Sequence, residues 1–380
     1  MGIKKGLIVA ALLIGSLLVG MLVATATACT GIRLTAADGT VVQARTMEFG
    51  IAMDSSVIVV PRGYERTGTT PDGKPGIKWS SKYACVGANG IGLPLMVDGV
   101  NEKGLAAGLF YFPNTATYMP YTPADADRTL ACWELGSYIL ENFATVDEVR
   151  KGIQEVVVPE VVYSGWGFSP GTHFVVIDAS GEAIVIEYVA GSLRVYDNPL
   201  GVLTNNPTFD WHMTNLRNYL KFSPTGAPPL QIGGVTLTAL GEGSGMLGMP
   251  GDFTPPSRFV RAVAYSQSVE PVETGEEVVL QAFHVLNNFD IPKGSVRSGQ
   301  QDAHGNIAAE ETQWTSVCDL KAKKFYFRTF ASSQIRSVDL GAMNVDGGDI
   351  QTISMQGDEA IQPLAPSGEM RKIASGQDRR

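Results

Sequence analysis

Cys29 is the strongest candidate in this chain for a reactive side chain, because of its position. It follows Ala26-Thr27-Ala28 at the end of an apolar leader, and cleavage after Ala28 would make it the first residue of the mature chain. The thiolate of a terminal Cys is a nucleophile, and its free α-amine has a pKa of about 7.7–8.0. That amine can act as the general base for the thiol of the same residue. One cleavage would therefore provide export, a nucleophile and a base.

The leader has the three parts of a secretory signal peptide. Residues 1–5 are short and basic, residues 6–23 are apolar, and residues 24–28 are small. This pattern predicts a signal peptide over residues 1–28 and an exported protein, either periplasmic or extracellular. An uncleaved membrane anchor and a lipoprotein signal that acylates Cys29 are the alternatives. Small residues rather than charges follow the apolar run, and Ala26 stands where lipoprotein signals normally have Leu, so cleavage without lipidation is favoured.

Charge and composition exclude some classes of partner. The chain has 380 residues and a formal net charge of −9, and the leader contains two lysines and no acids, so the mature chain is more acidic still. An acidic chain without a Lys/Arg run is a poor candidate for binding nucleic acid or anionic membranes. We expect one domain over residues 29–345, a polar tail over residues 346–380, and no membrane contact after the leader is removed.

The cysteines and histidines do not form a recognisable metal or triad pattern. Cys29, Cys85, Cys132 and Cys318 are the only cysteines, and none lies in CxxC spacing, so a structural zinc site is not indicated. The four histidines show no pairing along the chain, so the sequence does not indicate a Ser/His/Asp triad. An oxidising compartment permits one disulfide among the last three cysteines, although their apolar surroundings favour buried thiols. We expect neither a metal nor an organic cofactor.

The elements that must position Cys29 are predominantly β. Alternating and β-branched segments predict strands at residues 29–35, 40–45, 56–60, 95–98, 105–112, 172–178, 183–189, 192–196, 312–317 and 324–330. Helical periodicity predicts helices at residues 129–143, 145–152, 210–222, 257–268 and 276–288. Residues 63–78 and 241–256 are rich in Gly and Pro and read as loops. Blocks of strands separated by helix pairs favour an α+β fold of antiparallel sheets with helices outside.

Four further motifs accompany the candidate N-terminal cysteine. They are Arg45-Thr46-Met47-Glu48, Asn101-Glu102-Lys103-Gly104-Leu105, Thr204-Asn205-Asn206-Pro207 and Ser257-Arg258-Phe259. With Cys29, and in this order, they resemble the choloylglycine hydrolase family, which includes bile salt hydrolases and penicillin V acylases. The resemblance extends from Cys29 to about Phe330. Each motif alone is weak, whereas five in order are specific.

The resemblance implies a fold and an activity. The family is similar to the N-terminal nucleophile hydrolases, whose fold is a four-layer αββα sandwich. The resemblance implies hydrolysis of a small-molecule linear amide through an acyl-enzyme on the terminal cysteine. It also implies a homo-oligomer, which would be a tetramer by family resemblance. Bile salt hydrolysis by the same mechanism is one alternative. A lipid-anchored binding protein acylated at Cys29 is an alternative from another class.

Two charged residues near Cys29 in the predicted hairpin are candidate catalytic groups. Arg45 would lie on the strand beside Cys29, where a guanidinium favours the thiolate, and it matches the family's active-site Arg. Glu48 occupies the place where the family usually has Asp. A carboxylate there could bind the terminal ammonium or orient the thiol, but the extra methylene shifts its oxygens on a scale that matters in catalysis.

The resemblance assigns two more polar side chains to the site. Asn205 matches the family's Asn whose side-chain amide helps form the oxyanion hole, a donor worth about 10²–10³ in rate in one protease. Its neighbour Asn206 is the adjacent candidate. Arg258 matches the second active-site Arg, which supports the thiol and the polar end of the substrate. Arg261, one helical turn later, is interpreted as structural.

Phe110 is the candidate for contact with the acyl group. It aligns with a position that is Asn in many bile salt hydrolases and Tyr in some penicillin acylases, and whose backbone N–H is the second oxyanion donor. An aromatic side chain there favours an apolar acyl pocket, which Phe112 would extend. We therefore expect a substrate such as penicillin V or an N-acyl homoserine lactone rather than a taurine or glycine bile conjugate.

The first prediction concerns the N-terminus. The purified mature protein should begin at Cys29 and carry no lipid, because small residues lead up to the cleavage point. Intact-mass spectrometry of the exported chain measures this directly. An added diacylglyceryl mass would contradict the prediction, since acylation removes the thiol from chemistry.

Overall fold

The computed structural model describes residues 29–301 and 307–357. The predicted signal peptide, residues 1–28, and the part of the predicted tail after residue 357 lie outside the described residues. None of the helices within the described ranges is long and apolar enough to cross a lipid bilayer.

The strands are numbered in chain order. The first ten are β1 (Thr30–Thr35), β2 (Val41–Glu48), β3 (Ser56–Val60), β4 (Glu65–Thr69), β5 (Pro75–Ser80), β6 (Cys85–Ala88), β7 (Asp98–Asn101), β8 (Ala106–Tyr111), β9 (Thr172–Ile177) and β10 (Ala183–Val189). They are followed by β11 (Ser192–Asp197), β12 (Leu230–Ile232), β13 (Val235–Leu237), β14 (Val296–Gln301), β15 (Ile307–Glu310), β16 (Thr312–Asp319), β17 (Lys324–Thr329), β18 (Ser332–Asp339) and β19 (Gln351–Ser354).

The helices begin at residues that suit a helix N-terminus. They are α1 (Leu135–Asn142), α2 (Val146–Gly152), α3 (Phe209–Asn215), α4 (Pro255–Ser268) and α5 (Gly275–Leu286). Thr145 caps α2 by accepting a hydrogen bond from the Glu148 N–H, and Thr274 caps α5 in the same way. Pro255 opens α4, where its fixed φ suits the first helical turn.

Two antiparallel sheets form the centre of the molecule. The smaller has the order β1-β2-β16-β17-β18, and the larger has the order β11-β10-β9-β8-β7-β6-β3-β19. In the smaller sheet Arg45 of β2 lies between Gly31 of β1 and Ser316 of β16. The predicted hairpin register therefore places Arg45 two residues from Cys29 across the sheet.

The two sheets and the helices that pack on them form layers. Helices α4 and α5 contact β1 of the smaller sheet, and α5 also contacts β2 and β16. Helix α1 contacts β7 and β8 of the larger sheet. One core lies around the smaller sheet and continues to the inner face of the larger one, and a second core joins the larger sheet to α1 and α2. This α+β arrangement is the four-layer αββα sandwich that the resemblance implied.

Strand β2 shows why the layers matter for the site. All eight of its residues are buried, because one face meets the larger sheet and the other meets α5. A strand covered on both faces cannot alternate simply between apolar and polar residues. Arg45 and Glu48 are therefore buried ionisable groups within the sandwich, and each needs hydrogen-bond partners there.

Several predicted elements differ from the structure. Residues 63–78, expected as a loop, contain most of the β4–β5 hairpin. The strand expected at residues 95–98 begins at Asp98 instead. The helix expected over residues 129–143 is α-helical only from Leu135, after a 3₁₀ turn at Cys132–Glu134. The helix expected over residues 210–222 ends at Asn215, and β18 was missed.

The segment after residue 345 is partly a strand. Strand β19 pairs with β3 at the edge of the larger sheet, with Gln351 opposite Val59. We expected a polar tail from residue 346. The short alternating sequence of β19 gives a weak signal, and its pairing with β3 joins residues that are distant in the chain.

Candidate active site

Cys29 lies at the start of β1, between the two sheets. Only 2% of its surface is exposed, and its Sγ approaches the backbone oxygen of Glu48 at 3.9 Å. The same residue lines an apolar cavity that opens to solvent. The thiol is therefore enclosed by protein on one side and faces a possible ligand space on the other.

Asn205 contacts Cys29 directly. The backbone nitrogen of Cys29 donates to Asn205 Oδ1 at 2.9 Å. The same oxygen accepts from Nη2 of Arg258 at 2.7 Å, and the amide nitrogen of Asn205 donates to the carbonyl oxygen of Tyr111 at 2.8 Å. The amide is thus fixed by contacts at both its ends, and only one of its two N–H hydrogens is accounted for by Tyr111.

Arg258 fixes the main chain around Cys29. From α4, its buried guanidinium donates to the backbone oxygen of Cys29, to Oγ1 of Thr30 at 3.0 Å and to the backbone oxygen of Phe253 at 2.9 Å. Together with the hydrogen bond to Asn205, these contacts use Nε and both terminal nitrogens of the guanidinium. The structure therefore places Arg258 against the main chain of Cys29 and against Asn205, as a clamp for both.

Arg45 is fully buried beside the site. Its guanidinium donates to the carbonyl oxygens of Leu109 and Val97 and lies 4.2 Å from the centroid of the Phe110 ring. The carboxyl of Asp98 is held nearby by other side chains and interacts electrostatically with Arg45. Burial raises the pKa of Asp98 to about 6, and the Arg45 charge opposes that rise.

The Glu48 carboxyl is enclosed by hydroxyl groups. Oε2 accepts from Oγ1 of Thr46 at 3.0 Å, and Oε1 accepts from Oγ1 of Thr312 at 2.7 Å. Burial raises the pKa of Glu48 to about 8, although Arg258, both threonines and Arg45 act in the opposite direction. The carboxyl of Glu48 is therefore hydrogen-bonded to the two threonines, and the Glu48 atom that lies near the Cys29 thiol is the backbone oxygen.

The thiol itself is in an environment that favours its protonated form. Burial raises the pKa of Cys29 above its ordinary value, and the Glu48 carboxylate adds to that rise. The charges of Arg45 and Arg258 lower it, in the direction expected for Arg45, but burial dominates. A protonated thiol needs a base before it can attack a carbonyl carbon.

The cavity beside Cys29 has apolar and aromatic walls. With its open mouth included, its volume is about 650 Å³. Its walls include Met47, Phe49, Leu109, Tyr111 and Trp166. The Phe49 ring stacks on Trp166 with 5.7 Å between centroids and meets Tyr111 edge to face at 5.3 Å. These walls can bury an apolar group of a ligand while its reacting carbonyl reaches the thiol.

The Phe110 side chain, expected to contact the acyl group, does not line the cavity beside Cys29. Successive side chains of β8 point to opposite faces, so Leu109 and Tyr111 line the cavity while Phe110 packs against Gly31 and the Arg45 guanidinium. A Cβ on Gly31 would lie 2.7 Å from the Phe110 ring. Phe112 is buried away from the cavity, stacked on His173 at 4.2 Å.

The structure also separates the two candidate asparagines. The Asn206 amide donates to the backbone oxygen of Pro113 and to Oγ1 of Thr115, whereas Asn205 reaches Cys29. Arg261 donates to the carbonyl oxygens of Pro250 and Asp252, in keeping with a structural role.

Sequence reasoning missed several residues that shape the site. Tyr111 was overlooked because the motif drew attention to its neighbour; strand alternation places the two side chains on opposite faces but does not identify the face that meets the cavity. Thr312 has no local signal, since its contact with Glu48 joins residues 264 positions apart. His173 and His212, read as unpaired, each approach a backbone oxygen beside the Asn205 side chain.

The remaining cysteines lie apart from this chemistry. Cys85, Cys132 and Cys318 are buried free thiols. Within residues 29–301 and 307–357, no group of three or more His, Cys, Asp or Glu side chains is arranged to hold a metal ion.

A pH-dependent stability difference should follow from Glu48. The pKa of Glu48 is raised from 4.5 to about 8 in the folded state, so the folded protein holds a proton that the unfolded chain releases. The free energy of unfolding of the wild type therefore falls as the pH rises from about 4.5 to about 8. Relative to wild type, Glu48→Gln should gain stability from pH 5 to pH 8, by up to about 1.4 kcal/mol per pH unit. Urea unfolding of both proteins measures it.

The matched control is Glu65→Gln, which changes an exposed glutamate. Its free energy of unfolding should stay parallel to that of wild type across the same pH range. Parallel curves for Glu48→Gln as well would show that Glu48 titrates normally in the folded protein.

Comparison with known proteins agrees with this geometry. Residues 29–353 match the family model of linear amide C–N hydrolases, choloylglycine hydrolase family. The bile salt hydrolase/transferase of Clostridium perfringens is 32% identical over 328 residues, which cover 85% of this chain and 96% of that protein. The penicillin V acylase of Pectobacterium atrosepticum is 30% identical over 80% of this chain and 78% of its own.

Solved structures give the same result. A conjugated bile acid hydrolase from Clostridium perfringens has a TM-score of 0.76 at 30% identity, with 89% of this chain and 100% of that chain covered. Penicillin V acylase from Agrobacterium tumefaciens has a TM-score of 0.68 at 26% identity, with 86% and 91% covered. The chain therefore belongs to the choloylglycine hydrolase family of linear amide C–N hydrolases.

Proposed function

We propose that this chain is an exported amide hydrolase whose nucleophile is the thiol of Cys29, made N-terminal by cleavage after Ala28. The observation that carries the proposal is the hydrogen bond from Cys29 N to Asn205 Oδ1, beside a thiol that faces an apolar cavity. Family membership favours this proposal over a lipid-anchored binding protein.

Processing would convert a backbone nitrogen into a base. In the described chain this nitrogen is a peptide N–H, and it stands in the place that the free α-amine would take. Burial raises the pKa of the thiol, so the thiol holds its proton near neutral pH and needs a base. The α-amine, with an ordinary pKa of about 7.7–8.0, is partly unprotonated there and belongs to the same residue, so it is the group that accepts the proton. The thiolate then attacks the amide carbon, and a C–S bond forms.

The oxyanion that results needs uncharged donors. The Asn205 amide nitrogen is the first candidate, and the backbone N–H of Phe110, implied by the family resemblance, is the second. As the C–N bond breaks, the protonated α-amine of Cys29 returns its proton to the leaving amine. Water then attacks the thioester with the α-amine as base, which releases the carboxylic acid and restores the thiol. Every step uses protein groups and water, so we propose no metal or organic cofactor.

The preferred acyl group is proposed to be apolar, as in penicillin V or an N-acyl homoserine lactone. Support now comes from the cavity walls rather than from Phe110. Met47, Phe49, Leu109, Tyr111 and Trp166 offer apolar and aromatic surface beside the thiol, and burial of such surface contributes about 25 cal/mol per Å².

Bile salt hydrolysis is the second candidate. The relatives from Clostridium perfringens and Bifidobacterium longum, both 32% identical to this chain, are named as bile salt hydrolase/transferases. A steroid is also an apolar acyl group, so the cavity walls alone do not decide between the two.

A homo-oligomer is proposed from the β12–β13 hairpin. Leu230 pairs with Leu237 and Ile232 pairs with Val235, so all four apolar side chains share one face of a two-stranded ribbon. Each is more than half exposed. An isolated ribbon of this kind is marginally stable in water, and a second copy of the chain would cover the apolar face.

The oligomer prediction can be tested by sedimentation velocity. The mature protein should sediment as an oligomer, and Ile232→Asp should shift it toward the monomer because a charge would be buried at the interface. Thr236→Asp on the opposite face of the ribbon is the control. A wild-type monomer at micromolar concentration would contradict the proposal.

The nucleophile prediction uses Cys29→Ser. The variant should fold normally and lose most of its turnover, because a hydroxyl is far less ionised than a thiol and a single amine is a weak base for it. Turnover and thermal unfolding are measured on the mature proteins. Cys85→Ala, which changes a thiol in the core on the other side of the larger sheet, should remain active. Near-wild-type turnover of Cys29→Ser would place the nucleophile elsewhere.

The substrate prediction compares kcat/KM values for four amides. Penicillin V, a long-chain N-acyl homoserine lactone, glycocholate and taurocholate present different acyl groups to the same enzyme. We expect the first two to exceed both bile conjugates. A clear preference for glycocholate or taurocholate would make bile salt hydrolysis the function and overturn the proposed acyl preference.

A further inference from the structure

The Asn205 side chain is held by a loop whose carbonyl groups meet two buried imidazoles. Residues 204–206 lie between an isolated β-bridge at Leu203 and the start of α3. Nε2 of His173 lies 3.0 Å from the backbone oxygen of Thr204, and Nε2 of His212 lies 2.9 Å from the backbone oxygen of Asn205. Consecutive carbonyls are therefore bound from two different elements.

A carbonyl oxygen can only accept, so Nε2 of each ring carries a hydrogen. In His212 that is the one ring proton, since burial lowers its pKa to about 4 and its Nδ1 has no hydrogen-bond partner among the described residues. In His173 the second nitrogen is also engaged. Nδ1 lies 3.1 Å from Oε1 of Glu187, and both side chains are fully buried.

The Glu187 carboxyl ties His173 to the rest of the loop. Its Oε1 also accepts from the backbone N–H of Phe209, the first residue of α3, at 3.0 Å. Its Oε2 is buried without a hydrogen-bond partner in the described part of the chain. Oε1 therefore contacts both the His173 ring and the start of α3, which orients the imidazole between Glu187 and the Thr204 carbonyl.

We propose that His173, oriented by Glu187, is a positioning residue for Asn205. Its hydrogen bond to the Thr204 carbonyl fixes the loop from the β9 side. On the other side, His212 of α3 binds the Asn205 carbonyl, and the first N–H of α3 binds the Glu187 carboxyl. The ring itself is held by stacking on Phe112 at 4.2 Å. The inference rests on the proposed function, in which Asn205 binds the Cys29 nitrogen and stabilises the oxyanion.

Removal of the donor should affect turnover more than binding. His173→Leu leaves the Thr204 carbonyl without its partner and lets the Asn205 amide shift. We expect kcat to fall about 10- to 100-fold and KM to stay within about twofold, because His173 does not line the cavity. The substrate is the fastest of the four amides compared above, and His284→Leu, at an exposed position of α5, is the control.

Rescue separates positioning from packing. The side-chain amide nitrogen of Gln can take roughly the place of imidazole Nε2 and donate to the same carbonyl. His173→Gln should therefore recover most of the lost kcat. Equal losses of kcat in His173→Leu and His173→Gln would show that the effect comes from lost ring packing, and would overturn the proposal.

A double-mutant cycle tests whether His173 acts through Asn205. In an Asn205→Ala background His173→Leu should lower kcat by less than about twofold, since the group that it positions is gone. Losses that multiply independently would overturn the proposal.

If His173→Leu does not fold, Glu187→Gln provides the same cycle. It keeps an acceptor for the Phe209 N–H and replaces the carboxyl that orients the His173 ring by an amide, so kcat should fall with Asn205 present and not with Asn205→Ala. No loss in the wild-type background would overturn the proposal. If Cys29→Ser loses most of its turnover and Asn205→Ala keeps a reduced but measurable kcat, while the His173 and Glu187 variants match wild type, the proposed function stands and this inference alone fails.

Discussion

The Asn205 side chain is the contact on which the arrangement of this site depends. Its Oδ1 accepts from the Cys29 nitrogen and from Arg258, and its amide nitrogen reaches Tyr111 at the cavity wall. These three partners come from the residue before β1, from α4 and from β8, which belong to different layers of the sandwich. One small amide therefore links the backbone of Cys29, the Arg258 guanidinium and the wall of the apolar cavity, so a shift of any of these layers would change the surroundings of the thiol.

Buried charge is the second constraint. Arg45 and Arg258 lie within the protein with almost no exposed surface, and carboxyls of Asp98, Glu48 and Glu310 interact with them electrostatically. Uncompensated buried charge is costly, so the sandwich must supply these partners together. The same burial raises the pKa of the Cys29 thiol and outweighs the charges of Arg45 and Arg258, which act in the opposite direction.

Local patterns predicted the fold where short-range physics dominates. Strand β3 and the meander of β9, β10 and β11 follow from alternation and turn residues, and the start of α2 follows from its Thr145 cap. The β4–β5 hairpin was missed because its Gly- and Pro-rich sequence carries little apolar alternation, and it is stabilised by pairing and by contact with the segment around Thr129. The four-layer arrangement came from family resemblance, since element order alone permits other stackings.

The sequence by itself determined the identity and order of the chemical groups: a cysteine after a predicted signal peptide, followed by the arginine, asparagine and second arginine motifs of one family. Which of two neighbours points to the site was decided only by the tertiary structure. Tyr111 rather than Phe110 lines the cavity, and His173 reaches Thr204 across 31 positions of sequence. The physical reason is that side-chain direction depends on strand register and layer packing, which distant pairings such as β2 with β16 fix.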